Sequence, residues 1–204
     1  MAESKGPGDF SFKSMLLSNY SKSKTLDLSD LVYDIGIEES VDSVTMSGHI
    51  SIIDSQNIID NFPILGEEEI YMAIEDFYGN TQELYWHVTN ISPISVNSDS
   101  GTQEYSLMLR TKDFVQTERL EIKRSFRTPL YMTAQTVFDD YFNTDKPIEI
   151  EETSGDQTIV IPAKTPYETM MFLARKSFSI QNPSSTYNFF ESRNGFKYVT
   201  TENL

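Results

Sequence analysis

The sequence has no cysteine in 204 residues, which excludes a disulfide framework, thiolate-based zinc and iron–sulfur sites, and a cysteine nucleophile. Histidine is scarce: His49 and His87 are the only two, so imidazole chemistry would rest on them alone. The nine glycines are scattered, and none falls in a GxGxxG or GxxxxGK spacing that could cradle a phosphate. No apolar run approaches the roughly 20 residues of a membrane-spanning helix. The first 24 residues, MAESKGPGDFSFKSMLLSNYSKSK, lack the roughly 7–15-residue apolar core of a signal peptide. The chain therefore reads as soluble, with no membrane span, and the Asn-x-Ser sequons at Asn19 and Asn90 carry no expectation of glycosylation.

Positive charge is also missing over a long stretch. Between Thr25 and Leu109 there is no Lys or Arg against 16 acids, while the whole chain has 16 Lys plus Arg, 31 Asp plus Glu and a net charge of −15. The excess thus belongs to one contiguous segment. Such a balance argues against a nucleic-acid-binding groove, which needs clustered cations. Past it, Arg110, Lys112, Arg119, Lys123, Arg124 and Arg127 form a locally basic collar. The abrupt change suggests two structural units meeting near Arg110.

Hydrophobic periodicity gives the fold class. Leu31, Tyr33, Ile35 and Ile37, then Val44, Met46, Gly48, Ile50 and Ile52, alternate with polar or small residues and predict two strands joined near Glu39–Asp42. Asp54 or Ser55 is placed to cap a short helix that Pro63 stops. Ile70, Met72 and Ile74 alternate up to a Gly79-Asn80 turn. Leu84, Trp86 and Val88 open a strand running to Val96, edged or bulged at Pro93, and Tyr105, Leu107 and Leu109 resume the period. Downstream, Met132–Phe142 reads as a helix and Thr158–Ile161 as a strand ended by Pro162. Thr165-Pro166-Tyr167-Glu168 is a capping box that starts a helix presenting Met170, Met171, Leu173, Ala174 and Phe178. Asn194-Gly195 joins two aromatic strands, since both residues tolerate positive φ. The expected class is α+β: an arm over 1–24, an antiparallel β-barrel or sandwich over 25–111, and a smaller mixed α/β domain over 112–204.

Enzymatic patterns are weak. The paired acids Asp139-Asp140, Glu151-Glu152 and Glu67-Glu68-Glu69 read as solvated faces, because neighbouring side chains point apart. Asn97-Ser98-Asp99-Ser100-Gly101 has the oxygen-rich look of a calcium loop but lacks the remaining EF-hand spacing, and a hairpin turn explains it. Neither histidine has a neighbouring nucleophile arrangement. The reading is a non-enzymatic chain without cofactor or metal.

The order of elements is more specific. The paired strands SVDSVTMSGHISIID, the short helix SQNIIDNFP, the segment GEEEIYMAIEDF, the hairpin ELYWHVTNISPISV to EYSLMLRT, the helix TPYETMMFLARK and the closing STYNFFESRNGFKYVTTENL resemble the baseplate hub of contractile phage tails, related to type VI secretion spikes. The resemblance covers nearly all of the chain. It implies a tail-tube-type β domain, a homotrimer, and a virion location in the tail baseplate after synthesis in the host cytoplasm. The implied partners are the tail tube protein, the central spike and other baseplate proteins, around a channel for DNA or a tape-measure protein. Hubs of this family carry two tube-type domains and one is found here, so either a second lies beyond Leu204 or the relative is shortened.

Under this resemblance an acidic wall would repel passing phosphate. Thr45, Ser47, His49 and Ser51 are the lumen-facing candidates. The cations Arg110, Lys112, Arg119, Lys123, Arg124 and Arg127 are the subunit- or partner-contact candidates. The competing class is a β-rich adhesion or carbohydrate-binding module using Trp86 and the tyrosines as stacking platforms.

Overall fold

The computed structural model describes residues 10–96, 101–181 and 186–204. The stretch Asn97–Gly101, expected to be a hairpin turn, lies, but for its glycine, outside them. Two compact units divide the chain: Met1–Ile37 with Ser47–Lys112, and Glu38–Met46 with Asp113–Leu204. No helix among the described residues is long and apolar enough to cross a membrane.

The first unit contains β1 (Phe10–Ser18), β2 (Thr25–Asp27), β3 (Val32–Glu38), β4 (Ser47–Asp54), the short helix α1 (Ile58–Asn61), β5 (Glu69–Asp76), β6 (Thr81–Ile91), β7 (Ser95–Val96) and β8 (Gln103–Thr111). They form one sheet in the order β2-β1-β5-β6-β8-β4-β3, with β7 paired to β8. The alternation does what a period of two requires: Met15, Leu17, Ile50, Ile52, Ile70, Met72, Trp86, Val88, Leu107 and Leu109 are all buried, and the intervening residues take the opposite face.

Three expectations change. The stretch expected as an arm contains β1, which lies between β2 and β5. Its Met15 and Leu17 are fully buried, and Lys13 reaches Glu75 at 2.8 Å from a bulge between Phe12 and Ser14. Flanking Ser and Lys hide this strand in the sequence. The strand expected to run through to Val96 ends at Ile91, and β7 resumes beyond Pro93, which has no N–H to give the ladder. The cap of α1 is indirect: its N-cap residue is Asn57, but the Asp54 carboxylate accepts from the Gln56 and Ile58 N–H groups at 2.9 and 2.6 Å.

The second unit holds α2 (Lys112–Thr117) from Asp113 onward, β9 (Ile122–Pro129), α3 (Leu130–Tyr141), β10 (Ile148–Ile150), β11 (Asp156–Lys164), α4 (Pro166–Ala174), β12 (Tyr187–Ser192) and β13 (Gly195–Thr200). β10, β13 and β12 make a three-stranded sheet, parallel between β10 and β13, and β9 pairs with β11 as a ribbon. Thr165 and Glu168 form the expected capping box, both reciprocal hydrogen bonds being present. Of the residues predicted for the core side of α4, Met170, Leu173 and Ala174 are buried, whereas Phe178 is 55% exposed beyond the helix end. Pro162 does not end its strand. β11 bulges at Pro162 and Ala163, the latter at φ 48°, and pairing resumes at Lys164 with Ile122. The core is aromatic: Phe142 lies 4.9 Å from Phe138, 5.0 Å from Tyr167 and 5.5 Å from Phe196, ring centre to ring centre. Gly195 sits at φ 126°, and a Cβ there would come within 2.4 Å of the Pro147 carbonyl oxygen, so glycine is required on both counts.

Residues 38–46 are not the hairpin turn the sequence predicted but a strap that belongs to the second unit. Val44 packs on its core, Glu39 pairs with Arg193 at 3.0 Å, and Thr45 Oγ1 donates to Glu191 Oε2 at 2.7 Å. Glu191 has no exposed surface, and its other oxygen meets Lys146 Nζ at 2.6 Å; the same ammonium reaches Asp113 Oδ2 at 2.6 Å. Burial acts most strongly on Lys146 and would lower its pKa, but the Glu191 and Asp113 carboxylates outweigh it and hold the amine above its ordinary value. Removing the ammonium alone costs more than removing it together with the buried Glu191 carboxylate, because a lone charge is then left without solvent. Lys146→Met is therefore expected to destabilise the second unit by about 3–5 kcal/mol, and Lys146→Met with Glu191→Met by clearly less; urea denaturation of the two variants measures the difference.

Candidate functional site

The sheet face opposite the apolar core is the candidate site. Its register carries one row across five strands: Ser47 opposite Arg110, Arg110 opposite His87, His87 opposite Glu69 and Glu69 opposite Ser18. Neighbouring rows add His49 opposite Met108, Ser51 opposite Ser106, and Tyr71 opposite Tyr85 with rings 5.3 Å apart. Ser47, His49 and Ser51 thus share this face. Thr45 does not: it lies in the strap, bound to Glu191, and is withdrawn as a candidate for it.

His49 Nε2 is 3.0 Å from Asp34 Oδ2. A Cβ on Gly36 would fall 2.3 Å from the His49 ring, so this glycine is what lets the imidazole cross the neighbouring strand. Ser51 is buried and its hydroxyl shares a 2.9 Å hydrogen bond with that of Ser106. At the centre, Glu69 meets Lys22 at 3.2 Å, Lys112 at 3.3 Å and His87 at 3.7 Å. Desolvation pushes the Glu69 pKa up, but the two ammonium groups more than offset it and hold the carboxyl below its ordinary range. For His87 burial dominates and lowers its pKa, against the opposing pull of Glu69. His87 is therefore neutral at neutral pH, and the 3.7 Å approach is not an ion pair there.

The collar is divided by the boundary between the units. Arg110 and Lys112 belong to the first, Arg119, Lys123, Arg124 and Arg127 to the second. Lys112 is engaged with Glu69, Lys123 with Glu121 at 2.8 Å, and Arg124 with Asp140 at 3.1 Å while lying over the Phe126 ring. Arg119 and Arg127 are exposed and make no ion pair among the described residues.

The acids are also more diverse than a solvated wall. Glu69, Glu75, Glu83 and Glu104 lie on the polar face, yet Asp27, Asp54, Glu68 and Asp76 accept backbone N–H groups in turns. Glu68, read from the sequence as part of a solvated triplet, is 3% exposed and takes the N–H groups of Leu65, Gly66 and Glu67 at 2.8, 2.9 and 3.1 Å. Glu151 similarly accepts from the Thr200 N–H and hydroxyl, both at 2.8 Å, and from Asn203 at 2.9 Å. Trp86 is 1% exposed in the core and offers no stacking platform to a sugar. No group of three or more His, Asp or Glu is placed to hold a metal among the described residues.

This α+β chain, an antiparallel sheet apolar on one side and polar on the other followed by a mixed unit, is similar in fold to phage tail proteins. The 43 kDa tail protein of prophage MuSo2 from Shewanella oneidensis superposes with a TM-score of 0.59 at 16% identity, over 91% of this chain and 52% of that one. A tail protein from Neisseria meningitidis MC58 matches with a TM-score of 0.52 at 11% identity, over 91% of this chain and 49% of that one. A chain of the Francisella PdpA–VgrG complex matches at 0.50 and 11% identity, over 98% of this chain and 29% of its own length. The chain thus spans about half the length of the two tail proteins. No protein-family model and no curated protein matches the sequence.

The depressed pKa values of His87 and Glu69 fix a pH dependence. The unfolded chain takes up protons first in each case, so stability is lost as pH falls: from below 6.5 through His87, and from below 4.5 through Glu69. His87→Gln is expected to flatten the loss between pH 7 and 5, and Glu69→Gln the loss below that window. Thermal melts of the full chain across pH 8 to 3.5 check both slopes.

Proposed function

We propose that this chain is a structural component of a phage tail baseplate hub, joining the tail tube to the central spike and contributing to a channel for DNA or a tape-measure protein. The observation that carries the reading is the two-faced sheet in a fold shared with phage tail proteins over 91% of the chain. Its apolar face carries the buried Ile50, Ile52, Ile70, Met72, Trp86, Val88, Leu107 and Leu109. The polar face carries Ser47, His49, Ser51, Tyr71, Tyr85, Arg110 and the Glu69 cluster, in which Lys22 and Lys112 are both met by Glu69, and this pairing supports a surface that does not arrest a passing polyanion.

An open sheet cannot enclose a lumen by itself. The sheet path ends at β2 and β3, so a channel requires copies arranged around an axis, and a homotrimer is the arrangement proposed. Tail tube, central spike and neighbouring baseplate proteins are the proposed partners, and the tail baseplate of the virion is the proposed location. The role needs no cofactor and no catalysis.

Sedimentation of the full chain is expected to give a mass of three copies, alone or on addition of tube or spike protein. A density map of that assembly should show the Ser47–Arg110–His87–Glu69 row facing the central opening. A stable monomer that ignores tube and spike proteins, or a map with this row on the outer wall, would overturn the reading.

A further inference from the structure

The ribbon of β9 and β11 presents a surface that the fold itself does not use. Its inner side is committed: Ile122, Ile159 and Ile161 are buried in the core of the second unit and Phe126 packs against it. Its outer side is formed by Lys123, Ser125 and Arg127 on one strand and Thr158, Val160 and Pro162 on the other, with Ser125 opposite Val160 and Arg127 opposite Thr158. All six are exposed, Val160 at 64%. Arg127 has no ion-pair partner among the described residues, and Lys123 has only the exposed pair with Glu121, two residues away, which is weak and exchangeable.

A surface with complementary chemistry stands on the first unit. The loop Leu65-Gly66-Glu67 carries the most exposed large apolar side chain described, Leu65 at 79%, beside the exposed Glu67. The buried Glu68 carboxylate gathers its three successive N–H groups. A buried carboxylate spent on holding a protruding leucine and an acid in place preorganises them for contact, which lowers the entropic cost of docking.

We propose that the outer face of the ribbon seats on the Leu65–Glu67 loop of a second copy of this chain, Val160 against Leu65 and Arg127 against Glu67. Ribbon-to-ribbon pairing would bring Arg127 and Lys123 against their own copies and is disfavoured by like charge, whereas the acidic unit supplies the opposite sign. The contact is heterologous, so it closes into a ring when the rotation fits, and it rests on the hub reading for the size of that ring.

The full chain without cysteine gives a direct test. Leu65→Cys with Val160→Cys is expected to form intermolecular disulfides on oxidation. Arg127→Glu and Glu67→Arg should each weaken self-association about tenfold or more, and the two together should restore most of it. All these positions are exposed, and unchanged melting curves check that the variants fold; Val160→Ser, expected to weaken association several-fold, supplies a variant without charge change. Wild-type-like assembly of the single charge variants, with no intermolecular disulfide, overturns this contact while leaving the hub reading intact. A wild-type chain that assembles only through tube or spike proteins, with no disulfide formed in that assembly, also overturns it and spares the hub reading.

Discussion

A carboxylate removed from water has to be met by donors, and this constraint shapes the molecule more than any other. Burying an unpaired charge costs several kcal/mol, so each buried acid dictates the conformation of whatever surrounds it. Glu191 is wholly buried, and it is matched by Lys146, the Thr45 hydroxyl and, through the shared ammonium, Asp113. Strap, β12 and the start of α2 are thereby fixed to one another inside the second unit. Asp54 organises the first turn of α1, Glu68 closes a loop, and Glu151 holds the C-terminal turn. In a chain with twice as many acids as bases, backbone N–H groups do much of the work that cations do elsewhere.

That distribution revises what net charge can say about function. Sixteen acids without a base suggest a continuous repulsive wall, and repulsion of phosphate was the natural role for it. Several of these acids instead serve turns, and Glu39 serves the strap. What the polar sheet face offers is a mixed pattern in which Glu69 balances Lys22 and Lys112 and His87 stays neutral. Under the proposed hub reading, a channel lined in this way needs only to avoid concentrated positive charge, which is a weaker requirement than strong negative potential.

Local signals in the sequence were legible where one physical rule acted alone. Alternation located β4, β5, β6 and β8 because each has one buried face, and the Thr165 capping box and the Asn194-Gly195 turn are set by neighbours within three residues. Failures occur where a distant partner decides. β1 reads as a polar arm until Met15 and Leu17 are seen beside β5. Thr45 continues the alternation of β4 in the sequence, yet a glutamate 146 residues away draws it into the other unit. Lys146 stood out in no pattern, since its two carboxylates are 33 and 45 residues distant. Of the candidate site, the His49 and Ser51 side of β4 was visible, whereas the Glu69 cluster needed the register of four strands.

The same separation in sequence bears on how the chain folds. β3 and β4 belong to the first unit, and most of their contacts can form once residues to Lys112 are present. The strap between them cannot dock until β12 exists, because Glu191 and Arg193 supply its anchors. Closing a loop of that length costs only slowly more entropy than closing a shorter one, but it does delay the contact, and folding slows as such contacts accumulate. Until then Val44 is an apolar group without its burial site. The polar composition of the strap, Glu38-Glu39-Ser40 and Asp42-Ser43, keeps it solvated during that interval.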